Sequence, residues 1–115
     1  MKLQFERHPH SICAVLTEPG ECDRIINVAR ASDAFRVFKL GNELAALNID
    51  PTALKPLDAL FALPRVVCVE IERREGGWRV EVAYWNKGLG TLAQYETEAP
   101  SLIVALTRAL TGIDV

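Results

Sequence analysis

Four side chains near the N-terminus are the chain's candidate metal ligands: His8, His10 and Cys13 in the pattern His-x-His-x2-Cys, with Cys22 further on. Imidazole nitrogen and thiolate sulfur are donors that zinc takes in tetrahedral sites. On a strand His8 and His10 would point the same way and help such a site, whereas Pro9 between them suits an exposed polar loop. The spacing matches no standard zinc pattern, so a solvated loop is expected and no cofactor is assigned.

The three thiols lack the surroundings of a nucleophile, which needs a base and an orienting group. Cys22 lies between Glu21 and Asp23, whose charge disfavours a thiolate; Cys13 sits in an apolar run; Cys68 shares a strand face with Glu70. Both histidines stand at one end of the chain. Glu70, Glu72 and Glu81 fall on one face of a hairpin, but glycosidase or metal-dependent chemistry needs carboxylates converging in a pocket. Arg73, Arg74 and Arg79 are near enough to pair with them at the surface instead. Gly88-Leu89-Gly90 has no third glycine and no following helix, so it reads as a loop and not a phosphate cradle.

A different signal comes from Trp78, Tyr84 and Trp85. Tyrosine and tryptophan dominate many interfaces because they bury large area at small rotamer cost while keeping a polar handle. By strand alternation Trp85 lands on the face that otherwise holds Cys68, Glu70, Glu72, Arg79, Glu81 and Ala83.

These residues sit in a chain of 115 residues, half of them apolar and 24% charged, the usage of one globular domain over 1–115. Net charge is −2 with both signs interspersed, so the counterion release that drives nucleic-acid binding has little to work with. Folding could still gather acidic groups on one side. The opening Met1-Lys2-Leu3-Gln4-Phe5-Glu6 lacks the apolar stretch of a signal peptide, and no run approaches the ~20 apolar residues of a membrane span. Three unpaired cysteines suit a reducing compartment. A soluble cytoplasmic protein without a structural disulfide is expected.

The elements that must position the candidates follow from periodicity and punctuation. Residues 2–7 and 11–16 read as strands of a hairpin around His8-Pro9-His10. From Pro19 the reading forks. Cys22, Ile25, Ile26 and Ala29 have helical spacing, which favours a helix over 21–31, with a strand as the alternative. Residues 34–40 and 43–49 read as a second hairpin through Gly41-Asn42. Asp50-Pro51 opens one turn, followed by a helix from Lys55 or Pro56 to Leu63, stopped by Pro64, with Leu57, Leu60 and Phe61 facing the core. Two strands then flank Glu75-Gly76-Gly77, with Val67, Val69 and Ile71 sharing a face with Trp78, Val80, Val82 and Tyr84. A third strand spans 91–97. Pro100 starts a helix over 100–111 whose apolar stripe is Ile103, Leu106, Leu110 and Ile113, with Gly112 marking a fraying last turn.

The C-terminal block has a counterpart among known families. Trp78-Arg-Val-Glu-Val, a Gly-containing loop, a short strand and then Glu96-Thr-Glu-Ala-Pro-Ser-Leu-Ile-Val-Ala-Leu-Thr-Arg-Ala-Leu resembles the small phage and prophage proteins of the phage ABA-sandwich family. The similarity covers roughly the last third of the chain. It implies a sheet covered by helices and an origin in a mobile element, and it brings no catalytic residues to transfer.

The fold expected is α+β: a mainly antiparallel β-sheet with two or three helices packed against it. The function expected is non-enzymatic: a protein-binding module, in the sense of a phage accessory protein or inhibitor that contacts a host protein or defence complex. Trp85, Glu70, Glu72 and Arg79 would form the contact surface, and an exposed sheet edge would allow a homodimer. No membrane partner is expected. Two other classes compete: a small zinc-binding or thiol enzyme built on His8, His10, Cys13 and Cys22, and a phage structural or assembly component.

Overall fold

In the computed structural model, which describes residues 1–40, 51–88 and 90–113, all six strands join one antiparallel sheet. The elements are β1 (Lys2–Arg7), β2 (Ile12–Thr17), β3 (Arg24–Val28), α1 (Ala31–Leu40), a 3-10 turn (Pro51–Ala53), α2 (Leu54–Ala62), β4 (Val66–Arg74), β5 (Gly77–Trp85), β6 (Leu92–Ala99) and α3 (Leu102–Ile113). Their order across the sheet is β3-β2-β1-β4-β5-β6. The α+β expectation is met, and β1 lies between β2 and β4 with Phe5 opposite both Ala14 and Val69.

Alternation decides which face is covered. Leu3, Phe5, Ala14, Leu16, Val69, Ile71, Val80 and Val82 all project to one side and are buried there. The three helices close over that side: α1 packs on β2 and β3, α3 on β5 and β6, and α2 between them. Phe5 stacks on Phe35 of α1 with ring centroids 5.8 Å apart and meets Phe61 of α2 edge-on at 6.3 Å. No polar side chain is buried among the described residues.

Two segments differ from the sequence reading. Residues 24–28 are a strand and not part of a helix. Pro19-Gly20 makes a turn, with Gly20 at φ +79° and Glu21 N–H donating to Glu18 O at 3.2 Å, and the chain returns to pair Ile25 with Val15. The β-branched Ile25, Ile26 and Val28 suit this pairing, which supplies β2 with backbone partners that a helix there would leave unmade. Residues 31–40 form a helix where a strand over 34–40 is expected. Ala31, Ala34, Phe35 and Phe38 recur at helical spacing and all are buried, while Val37 is exposed. The N-terminal N–H of Ser32 is taken by Asp58 Oδ1 at 3.0 Å, so the cap of α1 comes from α2 and not from its own flank. The expected partner strand over 43–49, with Gly41-Asn42, lies outside the described residues.

Elsewhere the boundaries agree and details shift. The turn at Pro51 and the helix that follows stand where proline placement puts them, with Leu57, Leu60 and Phe61 buried. A register irregularity between Val66 and Cys68 turns Val66 inward, so Val66 and not Val67 joins Val69 and Ile71 in the core. In α3, Ser101 Oγ accepts the N–H of Val104 at 3.3 Å, an N-cap that places Pro100 just outside the helix. The buried stripe is Leu102, Ala105, Leu106, Ala109 and Ile113; Ile103 is exposed and Leu110 only partly covered. Gly112 is no frayed end: a Cβ on it would lie 2.4 Å from the Tyr95 ring.

Two arginines bind helix ends. Arg7 donates to Val66 O at 2.7 Å, Phe61 O at 2.6 Å and Leu63 O at 3.2 Å, with its guanidinium 5.5 Å from the centroid of the Phe61 ring. Arg65 donates to Ile113 O and lies over Tyr84. Each puts a cation against carbonyls at a helix C-terminus, α2 and α3 respectively, where the helix dipole favours it.

Candidate functional site

The described helices cover one side of the sheet only. The other side is an open face made by the alternate residues of six strands: Ile25, Val15, Gln4, Glu70, Glu81 and Glu96 form one row across it. Asn27, Cys13, Glu6, Cys68, Ala83 and Gln94 form the next. Five strand spacings by an average strand length amount to roughly 600 Å² of projected area.

Arg79 organises one end of this face. Its Nη1 donates to Glu70 at 2.8 Å and its Nε to Glu96 at 2.8 Å, its Nη2 bonds Glu81, and Glu72 stands 3.9 Å away. The side chain is 11% exposed, so the carboxylates of three neighbouring strands roof the guanidinium. Hydrogen bonds from Glu70 and Glu96 hold its pKa well above the ordinary arginine value. Partial burial by itself would raise the Glu70 carboxyl, but hydrogen bonds from Arg79 and Lys2 outweigh it and keep Glu70 below the usual carboxylate range. Lys2 Nζ lies 3.2 Å from Glu70, and Arg74 joins Glu72 at 3.0 Å to Glu98 at 2.7 Å.

At the other end of β5, Trp85 is 46% exposed and stands in register with Leu92 of β6, which is 55% exposed. The two form an apolar pair projecting from the open face. Trp85 and the Glu70-Glu72-Arg79 group therefore share a face as the alternation implies, yet six residues of strand, roughly 20 Å, separate Trp85 from Arg79. A single contact would have to span most of the face to meet both.

The zinc-type constellation is taken apart by β2. His8 and His10 sit in the β1–β2 turn, closed by His8 N–H to Ser11 O at 2.9 Å, and line a cleft of about 440 Å³ with Arg7, Arg30, Asp58 and Phe61. Cys13 alternates to the open face and Cys22 is exposed in the turn at the far end of β2. No group of three or more His, Cys, Asp or Glu side chains among the described residues is placed to hold a metal ion. All three cysteines are free thiols. Burial raises the pKa of Cys68, the Gln4 hydrogen bond at 3.6 Å partly offsets this, and the charges of Glu6, Glu70 and Glu81 raise it further. A thiol so placed is poorly activated.

Sequence reasoning missed Leu92, Glu96, Glu98 and Lys2 as members of this face. Their alternation along β1 and β6 was readable, but which strand pairs with which, and in what register, was not. Comparison of the chain with protein-family models, curated proteins and solved structures returns no match.

Proposed function

We propose that this protein is a protein-binding module without catalytic machinery of its own, and that the open sheet face is its contact surface. The observation that carries the reading is the exposed Trp85-Leu92 pair standing on a sheet face that no described helix covers. Large apolar side chains held by strand backbone, beside an ordered ion-pair network, give a rigid patch that loses little entropy on binding. The projected area is of the order of the ~800 Å² per partner buried in a standard interface. No described helix is long and apolar enough to cross a membrane. The resemblance of the C-terminal block to phage ABA-sandwich proteins supports a narrower form of this reading, an accessory protein or inhibitor acting on a host protein.

Affinity capture from extract of the source cell, with the wild-type chain and with a Trp85→Ala/Leu92→Ala variant, tests it. A protein retained by the first and lost from the second, at unchanged melting temperature, is the expected outcome. Identical retention by both would reject this face as the contact surface.

A further inference from the structure

The near-neutral total charge conceals an acidic excess on the open face, and this bears on the partner's chemistry. The open face carries Glu6, Glu70, Glu72, Glu81, Glu96 and Glu98 against Lys2, Arg74 and Arg79, six carboxylates to three cations and so a net of −3. Arg79 is sunk beneath its carboxylates, so a molecule approaching this face meets acid first. The rest of the chain carries ten Lys/Arg and nine Asp/Glu, close to balance.

Building on the protein-binding reading above, we propose that the open face docks a cationic protein segment, one that brings lysine or arginine to the carboxylates and an apolar side chain to Trp85 and Leu92. Two observations converge on this occupant: the charge of the face and the apolar pair at its end. Face-to-face docking of a second copy sets −3 against −3, and nucleic acid is repelled for the same reason. A basic segment meets Glu96 and Glu98, whose side chains are 54% and 59% exposed, and competes there with their ion pairs to Arg79 and Arg74.

The test selects a displayed random peptide library on the immobilised wild-type protein, with counter-selection on Trp85→Ala/Leu92→Ala. Expected are sequences enriched in lysine and arginine that also carry an apolar residue. Their binding should weaken about tenfold when ionic strength rises from low salt to ~0.3 M, and by a similar factor in Glu96→Gln/Glu98→Gln. Enriched sequences that need Trp85 but carry no excess of basic residues would overturn the cationic partner and leave the protein-binding reading standing. If no sequence distinguishes wild type from Trp85→Ala/Leu92→Ala, both fall. Sedimentation of the wild type alone provides the other arm: self-association abolished by Trp85→Ala would assign the face to a second copy and overturn the proposal.

Discussion

The ring of Tyr95 on β6 occupies the space in which Gly112 of α3 would otherwise carry a side chain, with Cε2 2.4 Å and Cζ 2.6 Å from an ideal Cβ. This contact seats the last turn of α3 on the edge strand, and the absence of a side chain at 112 is what permits it.

Glycine to alanine inside a helix ordinarily stabilises by roughly 0.5–1 kcal/mol. Gly112→Ala should do the reverse here, costing about 1–3 kcal/mol because the Tyr95 ring must move. In a Tyr95→Ala background the same substitution should recover its ordinary sign. Chemical denaturation of the four proteins of this cycle checks both statements; equal effects in the two backgrounds would count against the contact.

Arg79 balances carboxylates from three strands. Arg79→Met should destabilise by about 1–3 kcal/mol at neutral pH, a figure already reduced for the partial exposure of its partners. The pH dependence has a definite sign. The Glu70 carboxyl is held below its ordinary value of 4.5, so the stability it contributes is complete above that value and lost as pH falls through its lower folded-state pKa. Wild type should therefore lose stability on acidification below about 4.5 more steeply than Glu70→Gln, and the deficit of Arg79→Met should shrink over the same range. Urea midpoints measured from pH 7 to pH 3 decide it.

Trp85→Ala should leave the melting temperature within a few degrees of wild type, because the indole is half in solvent and joins no buried contact of the core. Trp78→Ala should cost about 3 kcal/mol or more, since Trp78 is buried and its ring lies 5.3 Å from the Arg73 guanidinium carbon. Calorimetry of the two variants separates an outward tryptophan from a core one.

The thiols should label in order of access. Cys22 is exposed, whereas Cys68 is half-buried, accepts a hydrogen bond from Gln4 and has a raised pKa. Iodoacetamide at mildly alkaline pH, followed by mass spectrometry of peptides, should modify Cys22 about tenfold faster than Cys68. Comparable rates would mean that β4 opens readily.

Arg7 binds three carbonyls at the end of α2 and the start of β4 through one planar group. Lysine keeps the charge but cannot reproduce the fork, so Arg7→Lys should cost about 1–2 kcal/mol. Denaturant midpoints compared with those of Arg36→Lys, at an exposed helix position, give the contrast.

Local chemistry made much of this fold legible. Strand alternation from Val66 to Trp85, the Glu75-Gly76 turn with Gly76 at φ +82°, and the prolines bracketing α2 each act within a few residues, so the sequence alone determined those elements and the sidedness of Glu70, Glu72, Arg79 and Trp85. Residues 24–28 and 31–40 were decided by tertiary structure: Ile25 is a strand residue because Val15 offers it a backbone partner, and the first turn of α1 is held by Asp58, 26 residues away from Ser32. The functional face divides in the same way. That Trp85 shares a face with Arg79 and Glu81 was written in the alternation of one strand, whereas its pairing with Leu92, the enclosure of Arg79 by carboxylates of three strands and the collection of six glutamates on one side depend on register between strands far apart in sequence. A residue's neighbours across a sheet are set by which edges pair, and that choice belongs to the whole chain's burial of apolar surface.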